Sequence, residues 1–215
     1  MLKNIKACLF DMDGTLLNSM HIWKDIDIEF LARFGYELPP TLQREIEGMS
    51  FRETAGYIKD KFNLPISVDE IMDIWNEMAF QKYSEEIYFK EGAFEFIKML
   101  KEKGIRTAIC TSNSRELVNA VAKHLGFMPY FDTIITSCEV GAGKPAPDIY
   151  LEAAKRVGVH PEDCLVFEDI VMGLTAGKRA GMRLCAVEDC YSVDQREEKK
   201  AMADYYIESY LDLLR

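Results

Sequence analysis

The sequence predicts a doubly wound, Rossmann-like parallel α/β core carrying an inserted four-helix cap, and three observations predict it. Short apolar runs alternate with amphipathic stretches through most of the chain. The alternation is interrupted once, from about residue 19 to residue 88, where every pattern has a helical period. Acidic, hydroxyl-bearing and lysine-bearing clusters follow the apolar runs directly, at the end of a parallel sheet where ligands bind.

Residues 5–10 (IKACLF) form a nearly continuous apolar run that stops at an acidic cluster, as expected of a strand buried on both faces. Similar runs recur at residues 107–111, 133–136, 164–167 and 184–187. Helical patterns fill the gaps, and glycines punctuate their ends. Residues 93–103 run into Gly104, 114–125 into Gly126, 148–157 into Gly158 and 171–180 into Gly181. Asn113, with Glu116 three residues later, has the spacing of a capping box at the start of the second of these helices.

Within the interruption, Ile22, Ile26 and Phe30 share one helical face. Pro39 and Pro40 break the chain, and amphipathic stretches resume at 51–62 and 68–83. Residues 18–88 are therefore expected to form a helical cap, with 1–17 and 89–215 forming the core and Lys90-Glu91-Gly92 marking the return. Trp23 and Trp75 are expected in the cap's own core rather than against substrate.

Composition removes several classes of function. The 215 residues are 48% hydrophobic and 29% charged, ordinary for a globular protein able to bury a core without staples. A formal net charge of -10 argues against nucleic acid or anionic lipid as partner. Cys8, Cys110, Cys138, Cys164, Cys185 and Cys190 make no C-x-x-C pair, and no histidine joins them at zinc spacing. Four of the six lie in apolar runs, as small buried hydrophobes in a reducing compartment. With no apolar stretch of about twenty residues and no signal-peptide block, a cytoplasmic monomer is expected.

Four clusters carry the chemistry. Asp11 and Asp13, in Asp11-Met12-Asp13-Gly14-Thr15, follow the first strand, and a turn at Gly14 lets the second carboxylate rise above the first. Such a pair can divide into nucleophile and general acid/base, or can simply be a solvated Asp-Gly turn. Thr111-Ser112-Asn113 set hydroxyls beside free helix amides, which is a phosphate cradle or a plain helix cap. Lys144 sits in Gly143-Lys144-Pro145-Ala146-Pro147, where a restricted backbone can fix a point charge. Glu168 and Asp169 end a further strand and begin a helix, as ligands or as helix-dipole compensation. Four complementary groups at four strand ends of one sheet make coincidence a poor account.

These residues resemble the haloacid dehalogenase superfamily, in its helical-cap phosphatase and β-phosphoglucomutase-like branch, over almost the whole chain. Asp11-x-Asp13-Gly14-Thr15 is similar to the first family motif, Thr111 to the second, Lys144 to the third, and Glu168-Asp169 with Gly173 to the fourth. The resemblance implies Asp11 as nucleophile through an aspartyl-phosphate and Asp13 as general acid/base. It implies Mg²⁺ held by Asp11, the Asp13 carbonyl, Asp169 and Glu168, a set of hard oxygen ligands. Thr111, Ser112, Asn113 and Lys144 would then bind phosphate. Asp13 favours phosphoryl transfer over dehalogenation, which has no alkoxide to protonate.

Two departures bear on the activity. Asn18 stands where many members carry Asp, and can still cap the next helix. Trp23 aligns where the mutases carry a histidine that supports the acid, with His21 two residues away, and Arg52 is offset from their sugar-binding arginine. His21, Trp23, Gly48 and Arg52 are the cap's candidate specificity residues, the Gly48-Met49-Ser50 turn reaching the core site on closure. The expected function is Mg²⁺-dependent hydrolysis of a small phosphorylated metabolite. A β-phosphoglucomutase-like sugar phosphomutase is the alternative, and a non-catalytic phosphate sensor a third reading that the complete acid and lysine set disfavours.

Overall fold

A computed structural model describes residues 1–214. In chain order, strand β1 (Ala7–Phe10) leads into four helices: α1 (Met20–Ala32), α2 (Leu42–Ile46), α3 (Phe51–Phe62) and α4 (Val68–Glu85). Next come α5 (Ala93–Glu102), β2 (Arg106–Thr111), α6 (Arg115–Leu125), β3 (Thr133–Thr136), α7 (Ser137–Val140) and α8 (Asp148–Val157). The chain finishes with β4 (Cys164–Glu168), α9 (Val171–Arg179), β5 (Arg183–Val187), α10 (Arg196–Met202) and β6 (Tyr205–Ile207).

The strands form one parallel sheet in the order β3-β2-β1-β4-β5-β6. The chain winds outward from β1 in one direction and then, from β4, in the other. The point where strand order reverses lies between β1 and β4, the position at which open α/β sheets bind ligands. Side chains alternate across the sheet with period two. Cys8 and Phe10 enter one hydrophobic cluster, and Ala7 and Leu9 enter the second. Phe10 stacks on Phe167 of β4 at 4.6 Å between ring centroids, which ties the two strands beneath the reversal.

The first cluster runs without a break from the sheet into the helical insertion, through Ile22, Ile26, Phe30, Ala55 and Trp75. Helix α4 packs along α6 of the core. The two crossings between core and insertion lie side by side, since Asn18 N–H donates to the Tyr88 carbonyl at 3.1 Å and Leu17 bridges Phe89. Lys90 anchors the return through its amide to Leu16 and its ammonium to Asp189, 2.8 Å away.

The structure differs from the sequence expectations locally. Helix α6 is capped by Ser114, whose Oγ accepts the Leu117 N–H at 3.2 Å, and not by Asn113. Helix α1 begins after Ser19, so Asn18 does not cap it. Capping boxes instead open α3 and α4, at Ser50/Glu53 and Ser67/Glu70. Strand β6 and helix α10 were not foreseen. Tyr205–Ile207 is a three-residue strand, too short to produce a periodic signal. Cys8, Cys110, Cys164 and Cys185 are buried as expected, Cys138 and Cys190 are exposed, and none is disulfide-bonded. Among the described residues no helix is long and apolar enough to cross a membrane.

Candidate active site

The carboxyl ends of β2, β1 and β4, with the Lys144 loop and the segment after β5, meet the helical insertion around a cavity of about 410 Å³. Asp11, one residue beyond β1, is fixed by its own N–H, which donates to the Phe167 carbonyl of β4 at 3.0 Å. Lys144, in the loop between α7 and α8, reaches in with its ammonium 2.5 Å from Asp11 Oδ1 and 2.5 Å from Glu168 Oε1. Asp169 accepts from Thr15 Oγ1 at 2.8 Å, and Glu168 accepts from the Tyr150 hydroxyl. All four charged groups are buried.

Two glycines make room for this arrangement. A Cβ on Gly14, which sits at φ +83°, would lie 2.4 Å from Asp169 Oδ2, and one on Gly173 would lie 2.0 Å from Glu168 Cδ. Only a hydrogen at each position lets the β1 turn and the first turn of α9 close against the carboxylates.

The charge balance is incomplete. Asp11, Glu168 and Asp169 offer ligand oxygens within 4.8 Å of one another, and among these four groups only Lys144 is cationic. Glu168 Oε2 is buried with no hydrogen-bond partner among the described residues. Burial pushes the Glu168 and Asp169 carboxyls well above the usual range, reinforced by Asp11 and opposed by Lys144 at Glu168 and by Lys90 at Asp169. Burial also opposes the Lys144 charge, but Asp11 and Glu168 outweigh it and raise that group above an ordinary lysine. An orphaned buried oxygen among clustered hard carboxylates fits a small divalent cation such as Mg²⁺.

Asp13, two residues beyond Asp11, is held by three donors. Ser19 Oγ donates to Oδ1 at 2.6 Å, Asn113 Nδ2 to Oδ2 at 2.9 Å, and the Tyr83 hydroxyl of α4 to Oδ1. Burial pushes Asp13 up, and these three hydrogen bonds pull against it. Tyr83 itself accepts two N–H groups, from Trp23 Nε1 at 2.8 Å and from Asn113 Nδ2 at 2.9 Å. Its own proton is thereby directed to Asp13.

The remaining expected residues divide. Thr111 and Ser112 line the cavity beside Lys144. Asn113 lines it too, but its amide serves Asp13 and Tyr83 while its oxygen accepts the Ser114 N–H at 2.7 Å. Both of its amide hydrogens and its side-chain oxygen are therefore engaged within the protein, not turned toward an anion. Gly48, at φ +80°, brings the turn before α3 against the lysine loop, where a Cβ would meet the Lys144 carbonyl at 2.7 Å. Phe51 N–H donates to the Ser112 carbonyl at 3.0 Å, so the insertion is hydrogen-bonded to the core at the cavity. Trp23 lines the cavity and reaches Asp13 through Tyr83. Trp75 is buried as a core residue would be, and it also forms part of the wall. His21 and Arg52 are not among the lining residues; His21 is exposed and Arg52 pairs with Asp69 at 2.5 Å.

Sequence reasoning missed Tyr83, Asp27 and Lys199. Ile71, Trp75, Ala79 and Tyr83 make a strict four-residue stripe, which marks burial but says nothing of a hydroxyl's partner. Asp27 was detectable as an acid beside the apolar face of α1. Lys199, in Glu197-Glu198-Lys199-Lys200, reads as a solvated charge. It is fully buried, with its ammonium donating to the Asp169 carbonyl and Ser192 Oγ, both at 2.9 Å.

The fold places an acid- and lysine-lined site at the switch point of a parallel sheet, and the comparisons give the class: a hydrolase. Residues 5–181 match the haloacid dehalogenase-like hydrolases, and the chain belongs to that family, as a phosphatase-type member with its helical insertion after the first strand. Over 214 residues, 99% of the chain, it is 36% identical to the bifunctional riboflavin kinase/FMN phosphatase of Arabidopsis thaliana, and it spans 55% of that protein's length. A probable pseudouridine-5′-phosphatase of Saccharomyces cerevisiae is 34% identical over 190 residues, 82% of this chain and 80% of the relative. The crystal structure of CbbY from Rhodobacter sphaeroides in complex with phosphate matches with a TM-score of 0.85 at 28% identity, covering 97% of this chain and 96% of that one.

Proposed function

We propose that the chain is a Mg²⁺-dependent phosphatase that hydrolyses a small phosphate monoester through a phosphoryl group carried on Asp11. The observation that carries this reading is the buried cluster of Asp11, Glu168 and Asp169 around one ammonium, with a carboxylate oxygen left unpartnered. With all three carboxylates ionised, one ammonium leaves that cluster short of positive charge; a bound divalent cation would supply it and let the site receive an anion.

Asp11 attacks phosphorus in line with the departing alkoxide. Asp13 gives a proton to that alkoxide, then takes one from the water that cleaves the acyl phosphate. A carboxyl balanced between burial and three donors can exchange a proton in either direction. Lys144, Thr111 and the Ser112 amide hold the non-bridging oxygens. Asp11, Asp169, the Asp13 carbonyl and Glu168 would hold Mg²⁺, which supplies charge neutralisation at the phosphoryl oxygens. Uncatalysed monoester hydrolysis is so slow that enzymes reach accelerations of about 10²¹, and positioning with charge neutralisation supplies most of it.

Hydrolysis is preferred to phosphomutase chemistry because Arg52, the nearest candidate for a sugar-binding arginine, turns to Asp69 and lies outside the cavity lining. A mutase must also hold a bisphosphate, and so needs cations at both ends of its site. The relatives' names mention FMN and pseudouridine 5′-phosphate, both monophosphates of ring-bearing alcohols.

The test is turnover of p-nitrophenyl phosphate with Mg²⁺. Asp11→Asn is expected to lower kcat at least about 10⁴-fold, the scale seen when a covalent nucleophile is removed. Wild-type turnover in the variant would eliminate Asp11 as nucleophile. Adding β-glucose 1-phosphate with a bisphosphate primer separates the two activities: phosphate release indicates hydrolysis, glucose 6-phosphate without release a mutase.

A further inference from the structure

The cavity continues past the reacting groups into the insertion, and there its character changes. Trp23, Phe51 and Trp75 form an aromatic wall, with ring centroids 5.9 Å apart for Trp23 and Phe51 and 5.5 Å apart for Phe51 and Trp75. Trp75 is 2% exposed, and its indole N–H has no acceptor among the described residues. Asp27 of α1, also on the wall, is 6% exposed, and no lysine or arginine pairs with it among the described residues. Its Oδ2 accepts from Gln43 Nε2 at 2.5 Å, and Gln43 lines the same cavity. A buried carboxylate and a buried orphan donor, both at the edge of an aromatic-walled space, are unstable features unless a ligand answers them.

Resting on the phosphatase reading above, we propose that this end of the cavity recognises a flat heterocycle with an imide edge, an N–H next to a ring carbonyl. The substrate class is then a nucleotide- or flavin-type monophosphate. The ring's N–H donates to Asp27, and its carbonyl accepts from Trp75 Nε1 or the free amide hydrogen of Gln43. The aromatic wall takes the ring face.

The charge balance at this end counts against a second phosphate. Arg44 is engaged by Asp194 at 2.6 Å, and Glu47 and Asp27 add negative charge to the wall. Lys24, which is exposed, is left as the lining cation with no acid paired to it among the described residues. A bisphosphate would set its distal group against two carboxylates.

The experiment measures initial rates with Mg²⁺ on FMN, uridine 5′-monophosphate, ribose 5-phosphate and fructose 1,6-bisphosphate, with p-nitrophenyl phosphate as a monitor of the chemistry. At least one imide substrate is expected to exceed ribose 5-phosphate by tenfold or more in kcat/KM, with the bisphosphate lowest; FMN and uridine 5′-monophosphate distinguish the flavin from the nucleotide source. Trp75→Phe, which keeps the ring and removes the N–H, should cut that preference about tenfold, mainly through KM, and Asp27→Asn should do the same. If p-nitrophenyl phosphate is hydrolysed but ribose 5-phosphate or the bisphosphate equals or beats both imide substrates, the ring site is overturned. If nothing is hydrolysed, the phosphatase reading fails instead. Should a variant not fold, calorimetry on the wild-type protein with riboflavin and uridine decides: saturable binding of either supports the site, and none at millimolar concentration overturns it.

Discussion

The core wall and the cap wall of the cavity are built on opposite terms. On the core side, Lys144 bridges Asp11 and Glu168, Thr15 holds Asp169, Tyr150 holds Glu168 and Lys199 holds the Asp169 backbone. On the cap side, among the described residues, Trp75 Nε1 has no acceptor and Asp27 is met by one amide, while Arg44 is mostly in solvent. The core wall holds a fixed, mutually bonded charge cluster, which on the proposed reading serves a phosphoryl group whatever it is attached to. The cap wall has a polar group left open among the described residues, which the proposed substrate ring would satisfy. On the proposed reading, chemistry and selectivity divide between the two walls, and Tyr83 of the insertion reaches Asp13 of the core.

Four substitutions break or sharpen that contrast. The largest effect is expected on the core wall, where Gly173→Ala forces a Cβ into the Glu168 carboxylate. A loss of about 3 kcal/mol in chemical denaturation is expected from such overpacking, with weaker Mg²⁺ binding. An unchanged midpoint would mean that α9 can shift freely.

On the cap wall the sign reverses. Burial pushes Asp27 up to about 6 from an unfolded value of 3.8. The folded state therefore binds the extra proton between those values, and stability falls as pH rises through that window. The difference corresponds to about 3 kcal/mol above pH 6. Asp27→Asn should thus stabilise the protein by about 2 kcal/mol at pH 8 and by almost nothing below pH 4. Denaturation curves at the two pH values check it; a destabilised variant at pH 8 would show that the carboxylate is structural.

Tyr83→Phe tests the crossing. Removing one donor to Asp13 should lower kcat about tenfold for an alkyl phosphate. The loss should be smaller for p-nitrophenyl phosphate, whose leaving group needs no proton. Equal losses on both substrates would remove Tyr83 from leaving-group protonation and leave it to the shared water-attack step or to packing. The smallest effect is expected at Arg52→Ala. This residue pairs at the surface with Asp69, where exposed ion pairs contribute under about 1 kcal/mol. Its kcat/KM should stay within about twofold of wild type, whereas a tenfold loss would place it at the substrate after all.

Much of the core wall was legible in the chain. Strand tips can be read where an apolar run stops, and in a parallel sheet those tips share one edge. Asp11, Lys144 and Asp169 could be brought together on that argument before any coordinates. Asn113 shows the limit: its position beside a strand end was visible, but not that its amide would turn to Asp13 and not toward an anion. Arg52 shows the same for a cap residue, since a helix position does not state which way a long side chain points.

The order of apolar runs, helix stops and strand-end polar groups determined the sheet, the insertion and the four strand-end clusters, because each depends on short-range spacing along the chain. Tertiary structure alone decided that Tyr83 meets Asp13 across 70 residues, that Asp27 is buried on the cavity wall and that Lys199 lies under Asp169. Periodicity fixes which face of a helix is covered; which groups cover it depends on packing between segments far apart in sequence.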